Sequence, residues 1–271
     1  DQPGATVSDT TYLNQYNLAN PLLDTPAGFV SYRAGGAPVK FDCAGCHTTG
    51  YRATGHQDQA AGIVGVWAEA GIQCEACHGP GSLHAKNPYG MALKVERDAD
   101  ACARCHQRGG VDDVKVEGGF LVHDGPHGDL GLSKHLVLDC VECHDPHTGV
   151  VAAREEDLPT TQVECANCHF REAQYQKNER HLLLSVACEA CHKPRLGQEA
   201  VADAARVSGD VRTHLMAIDV TQLSQFSEDG QTVRPQIALD FACKGCHTPG
   251  TSAEIPNEQL LEAATNYHAR P

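Results

Sequence analysis

The five residues Cys43-Ala44-Gly45-Cys46-His47 set a pattern that recurs at Cys74–His78, Cys102–His106, Cys140–His144, Cys165–His169, Cys188–His192 and Cys243–His247. Nothing else in the chain constrains its fold as strongly. On one helical turn, cysteines at i and i+3 share a face and the histidine at i+4 follows them. C-x-x-C-H is the attachment signal of c-type haem. The thiols (Cys43 and Cys46, Cys74 and Cys77, Cys102 and Cys105, Cys140 and Cys143, Cys165 and Cys168, Cys188 and Cys191, Cys243 and Cys246) would form thioethers to the porphyrin edge. His47, His78, His106, His144, His169, His192 and His247 would each supply an axial ligand to iron.

Disulfides and structural zinc are the competing uses of paired cysteines. Neither explains a histidine after every second cysteine. With 16 histidines in 271 residues, seven such coincidences have a chance on the order of a few in a billion. No cysteine lies outside a motif. The expected cofactor is therefore haem c, seven copies, covalently held.

Seven haems in 271 residues leave about 39 residues for each. One Trp, six Phe and seven Tyr cannot build much interior, so the porphyrins must serve as large apolar bodies around which the chain wraps. The expected fold is mostly irregular, with short α-helices and at most one small β-hairpin, its haems stacked, and unfolded without them. First-cysteine intervals of 31, 28, 38, 25, 23 and 55 residues exclude a fixed-repeat solenoid.

Residues 1–42 hold neither Cys nor His and read as extended chain and turns, with Pro3, Pro21, Pro26, Pro38 and Gly35-Gly36. They form a haem-free N-terminal arm, open to two uses: a strap over the first haem, or a segment docking on a neighbouring subunit. Residues 43–271 are expected to be one continuous heptahaem unit. In its longest interval, Leu215–Val220 and Thr232–Leu239 flank Asp229-Gly230 and read as a hairpin, with Pro235 confining a strand to an edge. The tail reads as a helix capped by Asn257, with Leu261, Ala264 and His268 on one face.

What occupies the sixth position on each iron separates an electron carrier from a catalyst. Nine histidines outside the motifs are candidate second ligands: His56, His84, His123, His127, His135, His147, His181, His214 and His268. Seven are needed. His147, three residues after His144, should reach a different haem from its neighbour. His123 and His127 flank Asp-Gly-Pro, which breaks a helix. Met91 and Met216 read as core filler.

The formal charge of −14 disfavours nucleic acid and favours cationic partners. No run of 18 apolar residues is present, so no membrane span is expected. A start at Asp1 fits removal of a secretory signal. Haem attachment then points to the periplasm or cell exterior. Asp112-Asp113 and Glu155-Glu156-Asp157 are short acidic runs that read as solvated.

With these residues in view the chain resembles the multihaem c-type cytochromes. The segment from Gly71 to His84 is similar to one recurring in the ammonia-oxidiser tetrahaem cytochrome family, as is Ser133-Lys134-His135 leading into Cys140–His147. The resemblance implies that His84, His135 and His147 are distal ligands of other haems. Gly209–His214 resembles a segment of secreted multihaem cytochromes that polymerise into conductive extracellular filaments, or nanowires, where a histidine of one subunit can complete a haem of the next. The long arm and His268 fit such a homopolymer with haem-to-haem end contacts.

The expected function is electron transfer through closely spaced bis-histidine haems, without catalysis, to redox partner proteins or extracellular acceptors. The alternatives are a periplasmic shuttle, or an oxidoreductase of a small nitrogen or sulfur compound at one open haem. A haem cross-link to Tyr51, Tyr89, Tyr175 or Tyr267 belongs to the latter. Haem storage or metal scavenging is a third class.

Overall fold

The computed structural model describes residues 15–20, 22–31, 41–60, 62–107, 115–122, 125–149, 152–153, 156, 158–174, 178–265 and 267–268. His123, Asp112-Asp113, Glu155, Asp157 and Tyr175 lie outside them, as does much of the N-terminal arm. The chain divides into two compact units, one of residues 1–16 and 29–106, the other of residues 17–28 and 107–271. Where the sequence suggests an arm followed by one unit, part of that arm belongs to the second unit. Asn20 is buried and donates from Nδ2 to the carbonyl of Gly209 at 2.9 Å. Arg206 donates to the Leu22 carbonyl at 2.9 Å and pairs with Asp24 at 2.7 Å.

The helices are short and fall largely on the motifs: Ala44–His47, Cys74–His78, Ala99–His106, Cys165–Cys168 and Cys188–His192. In the first unit a two-residue ladder ties consecutive motifs together. Thr48–Thr49 pairs antiparallel with Glu69–Ala70. Buried Thr49 donates to the Gly71 carbonyl at 2.9 Å and accepts from the Gln73 amide at 2.8 Å, just before Cys74. The intervening loop closes through Gly65, at φ +87°, where a Cβ would lie 2.3 Å from the Tyr51 ring.

The second unit has a small apolar core of Phe120, Leu121, Leu196, Leu215, Ile237, Phe241 and Ala242. Phe241 makes edge contacts with Phe120 and Phe226, centroids 5.7 and 5.9 Å apart. Over it lies a three-stranded sheet: Lys115–Glu117 runs antiparallel to Phe120–Val122, which pairs parallel with Gly197–Gln198. Much of this core comes from the long stretch between the sixth and seventh motifs, where there is chain to spare.

A small hairpin lies instead at 115–122, turning through Gly118-Gly119, both with positive φ, and the described residues hold two further small sheets where at most one hairpin is expected from sequence. The stretch expected to be a hairpin makes its turn, with Ser227 donating to Thr232 at 2.9 Å, but its flanks meet only in isolated bridges. The reason is Gln225. Its buried amide donates to the carbonyls of Arg234 and Gln236 and accepts from the Ala238 amide, replacing a strand ladder next to Pro235.

The tail is helical over Asn257–Ala264, with two corrections. Pro256 stands at the cap position, Asn257 is the first helical residue, and the buried side chain is Leu260. The helix ends at Thr265, so His268 lies past it in a turn and does not extend its apolar face.

Candidate haem-binding sites

In the second unit each of the four motif histidines faces a histidine from elsewhere in the chain. His169 meets His135 with ring centroids 5.7 Å apart and Nε2 atoms 3.5 Å apart. His144 meets His214 at 6.3 Å, His247 meets His181 at 5.9 Å, and His192 meets His268 at 6.0 Å.

The rings are also oriented. A ligating imidazole must present one nitrogen to the metal while the other keeps its proton and donates it. Here Nδ1 is the committed nitrogen: His144 to the Thr160 carbonyl (3.1 Å), His192 to Met216 (2.8 Å), His247 to Ala253 (2.7 Å) and His268 to Glu172 (3.0 Å). His181 differs, its Nδ1 lying 2.6 Å from the Tyr267 hydroxyl. In the first unit His78 uses the Lys94 carbonyl (2.6 Å), His84 that of Met91 (2.6 Å) and His56 that of Ile63 (3.0 Å). Ligation of a metal by these rings would use Nε2.

Local sequence explains how several of these rings are placed. Ser133 accepts from the His135 amide at 3.0 Å and donates to the Leu130 carbonyl, a turn that fixes the approach of His135. Asn178 caps the helix Glu179–Leu183 by accepting from the amides of Arg180 and His181. Buried Asp129 accepts from the Thr213 hydroxyl and, at 2.8 Å, from the His214 amide.

The surroundings suit a porphyrin. Large apolar side chains flank the motifs yet stand in the open, among them Leu136, Val137, Phe170, Leu182, Leu183 and Leu184. Leu183 is 84% exposed and Val137 80%, values that a covering macrocycle would lower. None of the fourteen cysteines is paired in a disulfide.

The model for cytochromes c554 and c-prime matches residues 33–79, which hold the first two motifs. Over 137 residues the chain is 32% identical to the multiheme cytochrome MtrA of Shewanella baltica, covering 46% of this chain and 36% of that protein. The chain is a multihaem c-type cytochrome. Over 164 residues it is 26% identical to the dissimilatory sulfite reductase MccA of Wolinella succinogenes, covering 46% and 22%. It thus spans roughly a third or less of the length of these relatives. Its fold is similar to that of the outer cell wall cytochrome OcwA (TM-score 0.51, 18% identity, 83% of this chain and 63% of that one). The W. succinogenes octaheme sulfite reductase MccA superposes with TM-score 0.50 at 21% identity, over 72% of this chain and 41% of that one.

Motifs of the cytochrome that are neighbours in sequence are electrostatic neighbours in the second unit. Cys143 is influenced by Cys165 and Cys168, Cys188 by Cys165, and Cys191 by Cys246. Burial, the largest cause, pushes Cys191 up to about 11 and Cys243 to about 12. In the first unit Cys105 is likewise raised by burial, then by Cys46 and Cys77.

The other candidates are placed as follows. His147 is exposed, its Nδ1 3.4 Å from Asp145, whose carboxylate also accepts from the His147 amide. His127 sits in the helix Pro126–Leu132 and is half-buried. Sequence reading missed Asp129, Ser133 and Asn178, because a side chain that holds a backbone carries no motif. It also missed Lys193, whose Nζ lies 3.1 Å from His214 Nε2. Burial, and then Arg212, disfavour charge on this lysine. It points at the lone pair that ligation by His214 would use.

Proposed function

We propose that this cytochrome is an electron-transfer protein carrying seven covalent haems, one on each C-x-x-C-H motif. The observation behind the reading is the pairing of all four motif histidines of the second unit with His135, His181, His214 and His268. Haem bound there would supply reversible one-electron chemistry, with two histidines available to hold it. The chain's residues do the rest. Cysteine pairs would hold each macrocycle, Nδ1 bonds keep the imidazoles oriented, and the leucines, valines and phenylalanine now exposed would exclude water from it. In the first unit His56 and His84 are the proposed second ligands; His123, His127 and His147, in the second, are the remaining candidates of the chain.

Haem attachment favours an address in the periplasm or outside the cell. No helix among the described residues is long and apolar enough to cross a membrane. The acidic balance favours cationic partners. Of the two features that motivated a polymer, His268 faces His192 of its own chain and residues 17–28 dock within their own unit. A homopolymer with haem-to-haem end contacts stays the proposed assembly, its copies joined through other residues than these four pairs.

The test is the mass of the intact secreted chain together with electron paramagnetic resonance of its oxidised form. Seven adducts and wholly low-spin spectra are expected. Fewer adducts, or a high-spin component, would overturn the reading as stated. A high-spin component removed by a small anion would favour the second reading, an oxidoreductase of a small nitrogen or sulfur compound. Lys193 beside His214 would then be the polar group of an open distal face.

A further inference from the structure

Of the five paired histidines whose Nδ1 partner is described above, four share one design and His181 departs from it. His144, His192, His247 and His268 each commit Nδ1 to a backbone carbonyl. His181 commits it to a side chain, the hydroxyl of Tyr267 at 2.6 Å, from 86 positions away. The next residue is His268, which faces His192. Rings therefore follow one another from the seventh motif to the sixth: His247 to His181 (5.9 Å), His181 to Tyr267 (6.0 Å), Tyr267 to His268 (4.9 Å) and His268 to His192 (6.0 Å).

Resting on the ligand assignment above, we propose that Tyr267 is a positioning residue that sets the ligand strength of His181 at the seventh site. Through its peptide bond to His268 it also couples the geometry of the seventh site to that of the sixth. A carbonyl can only accept, so it fixes a histidine's tautomer without alternatives. A phenol can accept or donate. When Nε2 is given to iron, Nδ1 must carry the proton and the phenol oxygen must accept it. That bond increases electron donation by the ring and favours the oxidised metal. Removing the hydroxyl should therefore raise the potential of one site. The ring stack, which needs no hydroxyl, should keep the tail in place.

The experiment uses the mature holoprotein and the variants Tyr267→Phe and Tyr267→Ala, with His181→Ala and His268→Ala to mark the components of the seventh and sixth sites. Mass spectrometry first confirms the full haem complement. In Tyr267→Phe the component marked by His181→Ala should shift to more positive potential and change its low-spin resonance. The component marked by His268→Ala should stay put. In Tyr267→Ala both components should move, because the ring between them is gone. Unchanged potentials and resonances in Tyr267→Phe would overturn the proposal. So would movement of the sixth-site component alone. If His181→Ala itself left every site low-spin at its original potential, the ligand assignment would have failed instead, a separable outcome.

Discussion

Replacing Gly209 with alanine tests whether the segment leading to His214 is seated by backbone contact. The added Cβ would lie 2.0 Å from the Gly197 carbonyl oxygen and 2.9 Å from its carbon. Ordinary contact begins near 3.4 Å, and both offending atoms are backbone, so two chain segments must separate by more than an ångström. That separation strains three bonds: Gly209 to the Arg195 carbonyl at 2.8 Å, and the reciprocal Gly197 and Val211 pair at 3.1 Å each. Overpacking of this kind costs about 1–3 kcal/mol, and each lost hydrogen bond about 1 kcal/mol. The two costs overlap, because a shift that relieves the clash is the shift that breaks the bonds. Less flexibility in the unfolded chain returns about 0.4–1 kcal/mol. The net expectation is a loss of roughly 2–4 kcal/mol, a large share of a stability of about 5–15 kcal/mol. Urea unfolding of the holoprotein, followed by far-ultraviolet circular dichroism, should show a lower midpoint with an unchanged slope. Resonances of the site that uses His214 should broaden. Coincident unfolding curves for wild type and Gly209→Ala would refute the reasoning.

Three further outcomes are expected. Asp129→Ala removes the acceptor of the Thr213 hydroxyl and the His214 amide; it should cost about 1–3 kcal/mol and leave the fourth site of the ferric protein partly high-spin by resonance. Asn178→Ala deletes the cap of the helix that carries His181; a loss of about 1 kcal/mol is expected in urea unfolding, with the same haem count by mass. Expression without haem attachment should leave Leu182, Leu183 and Leu184, 53%, 84% and 75% exposed, uncovered. Such a chain should bind a hydrophobic dye and lose its amide protection in hydrogen exchange.

The extent to which the sequence foretells this structure follows the range of each interaction. A C-x-x-C-H motif is complete within five residues, so its helix and its chemistry are legible locally. The supply of spare histidines is legible too, because composition alone shows nine beyond the motifs. Their pairing is not. His135 faces His169, 34 positions away, whereas His268 faces His192, 76 positions back (268 − 192). No periodicity encodes closures of that length. The misplaced hairpin has a different cause. Asp229-Gly230 does make a turn, but whether its flanks pair depends on where the Gln225 side chain goes. Even the tail helix was legible only to its end, since an extended Thr265 stops it before His268.

The distribution of apolar residues carries the same division of labour into the fold. The protein-only core of the second unit gathers where the motifs are sparse: Phe120 and Leu121 between the third and fourth, and Leu196, Leu215, Ile237 and Phe241 between the sixth and seventh. Where motifs crowd, at intervals of 25 and 23 residues, leucine, valine and phenylalanine remain but find no protein to bury them. Side chains left so exposed disfavour a compact chain unless something apolar covers them. Two kinds of interior are therefore expected, one closed by side chains and one that haem would complete. The segment from Arg195 to His214 belongs to both. It contributes Leu196 and Gly197 to the core and sheet, and it ends on the ring facing His144. Anything that loosens the core should thus be felt at that site before it is felt at the pair His135 and His169, whose anchor is the local turn at Ser133.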